Sequence, residues 1–262
     1  MRRAGPWVRR SFVIAPAIAF ISFILLPLLA LLLHTTPALL MRTLGQPASM
    51  QALVLSIETT FISLALVLLF GTPTAHLLAR STFPGRRIVD AIVDLPIVMP
   101  PAVAGVALLV AFGRVGLAGP FLGGLGIHLS FSTAAVVVAQ IFVSCPYYVR
   151  SARAGFLTVD RGLEEASATL GYGPFGTFVR VTAPLAGPNL LGGAVLTWAR
   201  ALGEFGATSL FAGNLMGVTQ TMPQLVYVTL DGSGDIDGAA ALSVLLVASS
   251  LIVLLVVRLV GE

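Results

Sequence analysis

Long apolar runs constrain this chain more than any other feature. They fall at about 12–33, 53–79, 88–112, 131–149, 189–212 and 239–260. A helix that crosses a bilayer needs roughly 20 mostly apolar residues, so each run is read as one span. Six spans use most of the 262 residues and leave no room for a separate soluble domain. With 57% hydrophobic and 10% charged residues the chain lacks the polar surface of a soluble globule. The first run follows "MRRAGPWVRR" and is too long for a signal-peptide core, so it is expected to be a retained helix. The single cysteine, Cys145, forms no internal disulfide and is read as a small buried hydrophobe.

All 15 basic residues are arginines, and their placement sets an expected orientation. Arg2, Arg3, Arg9 and Arg10 precede the first span; Arg80, Arg86 and Arg87 follow the second; Arg150, Arg153, Arg161 and Arg180 follow the fourth. Arg42 and Arg114 fall on the opposite side, Arg200 lies within a span and Arg258 ends the last one. The positive-inside rule then puts both termini in the cytoplasm. The net charge of +4 is a topology signal, because no basic stretch is interleaved with aromatics as a nucleic-acid groove requires.

This orientation makes residues 150–188 the longest cytoplasmic loop. Within it Asp160 suits a helix N-cap, and Leu163, Ala166, Ser167 and Leu170 share one mostly apolar helical face. Gly171 is placed to end that helix in the left-handed conformation, and Gly173 with Pro174 to start a second one. Pro184 and Pro188 punctuate the entry to the fifth span. The loop either folds back on the bundle or offers a surface to a partner.

The third span carries Pro96, Pro100 and Pro101 in its first half and is expected to be kinked or broken. Such a break serves packing or marks a moving element. Asp90 and Asp94 are read as lying where carboxylates favour a helix N-terminus. In the fifth span Thr197, Arg200, Glu204 and Thr208 recur on one helical face, beside the small residues Ala199, Gly203 and Ala207. A charge at mid-membrane costs about 2.5–3.5 kcal/mol on insertion scales. Arg200 and Glu204 are therefore expected to pair and to face the bundle interior, a subunit interface or a water-filled path. Glu58 is read as a satisfied structural carboxylate. His34, His76 and His128 are not grouped, and no metal site is expected.

The chain contains no lysine, so a G-x-x-x-x-G-K phosphate loop is impossible. No nucleophile–base constellation is present either, so no enzyme chemistry is expected from this chain and any ATP must be bound by another subunit.

Glu165-Ala166-Ser167, three residues, Gly171, nine residues, Val181, one residue, Ala183-Pro184 resembles the signature of permease subunits in ATP-binding-cassette importers. That signature reads E-A-A, three residues, G, nine residues, I-x-L-P; Ser167, Val181 and Ala183 depart from it conservatively. "LSIETTFISLALVLLFGTPTAHLLAR", "DLPIVMPPAVAGVALLVAFGR", "FSTAAVVVAQIFVSCPYYVRSARAGF" and "ARALGEFGATSLFAGN" are similar to the molybdate, tungstate and sulfate group of such importers, the molybdate permeases above all.

The resemblance implies an all-α integral membrane protein of the bacterial cytoplasmic membrane with a six-helix type I importer fold. It divides the chain into an N-terminal tail with the first helix, 1–50, and a permease domain, 51–258, that includes the coupling loop. It implies a homodimer with two cytoplasmic ATPase subunits, which bind ATP and Mg, and an external binding protein that delivers the anion. Glu164, Glu165, Ala166, Ser167, Gly171 and Pro184 would couple to the ATPase, and the fifth-span stripe would border the path. The outer loops set Arg42 and Arg114 against Asp231, Asp235 and Asp237, so the exterior is no anion trap and selectivity is expected in the binding protein. The alternatives are a sulfate or thiosulfate permease, and an ion-coupled secondary carrier; the broken third span shows no counterpart in the second half, which speaks against the carrier.

Overall fold

The computed structural model describes the backbone of residues 6–261 and the side chains of residues 14–255. Arg2 and Arg3, and the side chains of Arg9, Arg10 and Arg258, lie outside the described residues. The helices in chain order are α1 (Pro6–His34), α2 (Pro37–Leu44), α3 (Pro47–Arg80), α4 (Arg86–Val98), α5 (Pro101–Phe112), α6 (Gly119–Gly124) and α7 (Thr133–Thr158). They continue with α8 (Arg161–Thr169), α9 (Pro174–Thr177), a π-helical turn Phe178–Thr182, α10 (Ala183–Leu185), α11 (Gly187–Leu202), α12 (Gly206–Phe211), α13 (Met222–Ser233) and α14 (Ile236–Gly261).

Four of these helices are long and apolar enough to cross a membrane: α1, α3, α7 and α14. The pair α4 and α5 makes a fifth candidate, bent by 119° at its break. Of the six expected spans, the fifth, residues 189–212, is not one continuous helix but is divided between α11 and α12. Pro100 has extended backbone and Pro101 opens α5, so the third span is broken where the two prolines stand; Pro96 sits buried within α4. The fifth span is also broken, at Gly203–Phe205, which supplies the counterpart that the sequence reading missed. The two breaks meet. A Cβ on Gly206 would lie 2.6 Å from Cβ of Pro101, and one on Gly105 would lie 2.9 Å from the Ala207 carbonyl oxygen.

The core is built on α3, α7 and α11. Val67, Ala75 and Leu78 of α3 pack with Tyr148, Val149, Ala152 and Phe156 of α7 and with Ala186. Close approach of α7 and α11 uses Gly155 against Asn189 and Gly193 against Ser151. Of the small residues expected to do this, Ala207 is buried but Ala199 and Gly203 are exposed. A polar seam runs between α3 and α7: Gln140 Nε2 donates to Thr59 (3.2 Å), Ser63 donates to Gln140 Oε1 (2.9 Å), and Ser144 donates to the Gln140 carbonyl (2.6 Å). Within a membrane such fully partnered polar groups fix one register between helices.

Asp90 and Asp94 are not at a helix start, since α4 begins at Arg86. They form a ladder to α7 instead, Asp90 with Arg153 at 2.6 Å and Asp94 with Arg150 at 3.6 Å. Thr221 and Gln224 make a capping box that opens α13, an unexpected helix. At the same end His34 pairs with Asp237 at 2.7 Å and ties α1 to α14. Cys145 is half-buried, not fully buried. Glu58, expected as a satisfied carboxylate, is exposed on α3 with no partner among the described residues.

Replacing Gly155 by Leu forces its side chain into Asn189, whose Cβ would stand 2.6 Å from the new Cβ. This is expected to cost about 1–3 kcal/mol of overpacking, read as a lowered Tm of the detergent-solubilised protein; an unchanged Tm would contradict the tight α7–α11 contact.

Candidate functional site

The loop between α7 and α11 folds as its residues suggest, with its apolar face turned outward. The Asp160 side chain accepts a hydrogen bond from the Gly162 amide at 2.8 Å and starts α8. At the other end Gly171 has φ +88°, its amide donates to Ala168 O (3.0 Å), and the Tyr172 amide donates to Ser167 O (3.2 Å). These paired bonds are those of a Schellman ending, which needs the left-handed backbone that glycine adopts at least cost. Gly173 is extended and Pro174 is the first residue of α9.

Of the four residues expected on the apolar face, only Ser167 is buried; its hydroxyl meets that of Thr177 at 3.0 Å and fastens α8 to α9. Leu163 and Leu170 are 49% and 78% exposed, Ala166 is exposed, and Phe175 beyond them is 81% exposed. The polar side is the one folded inward. Glu164 Oε1 accepts hydrogen bonds from Arg80 Nη2 at 2.9 Å and from the Thr182 hydroxyl at 2.7 Å. The same Arg80 nitrogen donates to the Val159 carbonyl at 2.9 Å. Glu165, the first residue of the E-A-S run, is exposed, as is Pro184. The Arg180 guanidinium lies over the Tyr172 ring at 4.5 Å, and His76 stands edge-on between Phe156 and Phe178. A cavity of about 410 Å³ opens between the end of α3 and the loop, lined by His76, Arg80, Arg161, Glu164, Glu165 and Tyr172 among others.

The second candidate lies at the broken fifth span. Arg200 and Glu204 pair as expected, Nη2 to Oε2 at 2.7 Å, with Glu204 1% exposed and the Arg200 side chain 26% exposed. They do not share a continuous helix with Thr208, because α11 ends at Leu202. Because of the interruption Glu204 also serves the backbone. Its Oε1 accepts the Ala207 amide at 2.8 Å, which satisfies a donor freed by the break. Thr197 is buried on the α7 side, its hydroxyl 3.4 Å from the Ser144 carbonyl. Thr208 is buried, and its hydroxyl has no partner among the described residues. Within one chain, only Arg200 of the four reaches the surface.

Sequence reasoning missed Arg80, Thr182 and the Gln140 seam as structural partners. A signal for the seam was present, since Ser56, Thr59, Thr60 and Ser63 recur at helical spacing in "LSIETTFIS".

Residues 68–261 match the family described as binding-protein-dependent transport system inner membrane component. The molybdenum transport system permease protein ModB of Mycobacterium tuberculosis is 45% identical over 244 residues, covering 93% of this chain and 92% of that protein. A probable sulfate transport system permease protein of Nephroselmis olivacea is 35% identical over 212 residues, 81% of this chain and 74% of that one. The fold is that of a crystallised bacterial importer of the polysaccharide alginate, with TM-score 0.79 and 15% identity over 97% of this chain and 95% of that one. The chain belongs to the binding-protein-dependent transport system inner membrane components, the permease subunits of ATP-binding-cassette importers.

Proposed function

We propose that this chain passes molybdate, or the closely similar tungstate, across the bacterial cytoplasmic membrane as a homodimer. The similarity to the molybdenum permeases over most of the chain carries the cargo assignment. In this reading both termini are cytoplasmic, and α11 with α12 completes a sixth crossing beside α1, α3, α4 with α5, α7 and α14. An external binding protein delivers the anion, and two ATPase subunits bind ATP and Mg and drive the cycle.

The outward apolar ridge of α8 and α9 supports the docking part of this reading. Leu163, Ala166, Leu170 and Phe175 have no cover among the described residues, and they sit on the segment that resembles the importer signature. At the opposite end Arg42 shares a cavity of about 250 Å³ with Asp235 and Asp237, so its positive charge is offset and the entrance is no anion trap. Selectivity then resides in the binding protein.

Sulfate is the second reading, favoured by the 35% identity to a sulfate permease. Proteoliposomes with the full complex separate the two: molybdate-loaded binding protein is expected to stimulate ATP hydrolysis, and stimulation by sulfate-loaded protein alone would reassign the cargo. Gly171→Val forces a β-branched side chain to φ +88°. The variant is expected to insert normally yet lose uptake by tenfold or so as the Schellman ending strains by about 1–3 kcal/mol; unchanged uptake would remove the loop from the coupling mechanism. Arg200→Ala leaves the Glu204 carboxylate buried without its ion partner, a loss of about 3–5 kcal/mol. Lost assembly or lost uptake is expected, and normal values of both, measured by size-exclusion chromatography and anion flux, would show that the pair is dispensable.

A further inference from the structure

We infer that the Arg80–Glu164 pair is the link through which movement of the loop enters the membrane, with α3 as the element it moves. This rests on the proposed function, because it gives a transmitting role to a residue that the sequence placed among the docking contacts. Glu164 turns toward the bundle: its side chain is 21% exposed, that of Arg80 is 13% exposed, and the two meet at 2.9 Å. The carboxylate also holds the Thr182 hydroxyl, and the guanidinium also holds the carbonyl of Val159 at the end of α7. One partly buried pair therefore joins the end of α3, the end of α7, α8 and the π-helical turn.

Other contacts between the loop and the bundle are of a different kind. Ser167 with Thr177 acts within the loop, Asp160 caps its own helix, and Phe178 meets His76 edge-on and Phe156 at a tilt. Apolar surfaces slide over one another at little cost, whereas a short charged hydrogen bond resists displacement in both directions. Among the described residues Glu164 makes the loop's one ion pair to the bundle.

Arg80 is the last residue of α3, a single helix of 34 residues, and at 1.5 Å per residue that rod is about 50 Å long. Displacement at Arg80 is carried to Ser63, which holds Gln140 of α7, and to Ser56, which accepts the Met222 amide at 2.8 Å at the start of α13. A push on α8 would thus reach the polar seam and the opposite end of the bundle through one helix.

The test uses the whole complex in proteoliposomes and reads anion transported per ATP hydrolysed, a ratio that a merely structural defect does not move. Glu164→Gln keeps the size of the side chain and an acceptor for Thr182 but removes the charge. Assembly and ATP hydrolysis are expected to persist while the ratio falls by at least about fivefold. Thr182→Val removes one donor and is expected to give a smaller fall. Exchange of both charges, Arg80→Glu with Glu164→Arg, is expected to recover part of the ratio. A wild-type ratio in Glu164→Gln would overturn the inference, as would an exchange variant that assembles and stays as uncoupled as the single change. Uptake by the wild type that needs no ATPase subunit would overturn the proposed function itself, a result distinct from either.

Discussion

A backbone inside a membrane has no water to satisfy its amides and carbonyls, so each interruption of a helix must be covered by protein. In this chain two interruptions cover one another. The break at Pro100 and the break at Gly203–Phe205 lie side by side, with Gly206 against Pro101 and Gly105 against Ala207 leaving room for contact between backbones. Glu204 completes the arrangement by accepting the Ala207 amide with one oxygen and Arg200 with the other. A carboxylate that would be costly in lipid is thereby fully partnered, and the short helices α5 and α12 are held as a pair. The same constraint explains the seam around Gln140, where each polar side chain meets another or a carbonyl.

The loop between α7 and α11 follows the opposite logic because it stands outside the spans. Glu164 turns toward the bundle, where Arg80 meets it, Ser167 turns toward Thr177 within the loop, and Leu163, Leu170 and Phe175 turn away. An isolated soluble helix would do the reverse. Such an inversion is stable only where another surface removes the apolar ridge from water, and at roughly 25 cal/mol per Å² that burial is a substantial drive for docking. The family to which the chain belongs provides the context for such a surface.

Much of this was legible in the sequence. The apolar runs located the long helices, the prolines located the first break, Asp160 and Gly171 located the ends of α8, and Pro174 located the start of α9. The Arg200–Glu204 pairing followed from spacing alone. What escaped depended on contacts between distant residues. Helical periodicity assigns residues to a face but does not say what the face meets, so the Leu163 face was open to either reading, and Glu164 gave no sign of Arg80, 84 residues earlier. The second break was hidden because Gly203 and Gly206 are tolerated in membrane helices, and its cause lies in packing against Pro101. Gly105, Gly155 and Gly193 proved to be the close-approach positions, while Ala199 and Gly203, which match the usual small-residue pattern, face outward.

If the loop couples the permease to its motor, the exposed ridge of α8 is the surface that the ATPase subunit buries. Single cysteines placed at Leu163, Ala166 and Leu170 in a chain lacking Cys145, labelled with a water-soluble maleimide, test this directly. Labelling in the isolated permease and protection in the assembled complex is the result this account requires. Equal labelling of all three positions in both states, with the ATPase subunit bound, would contradict it.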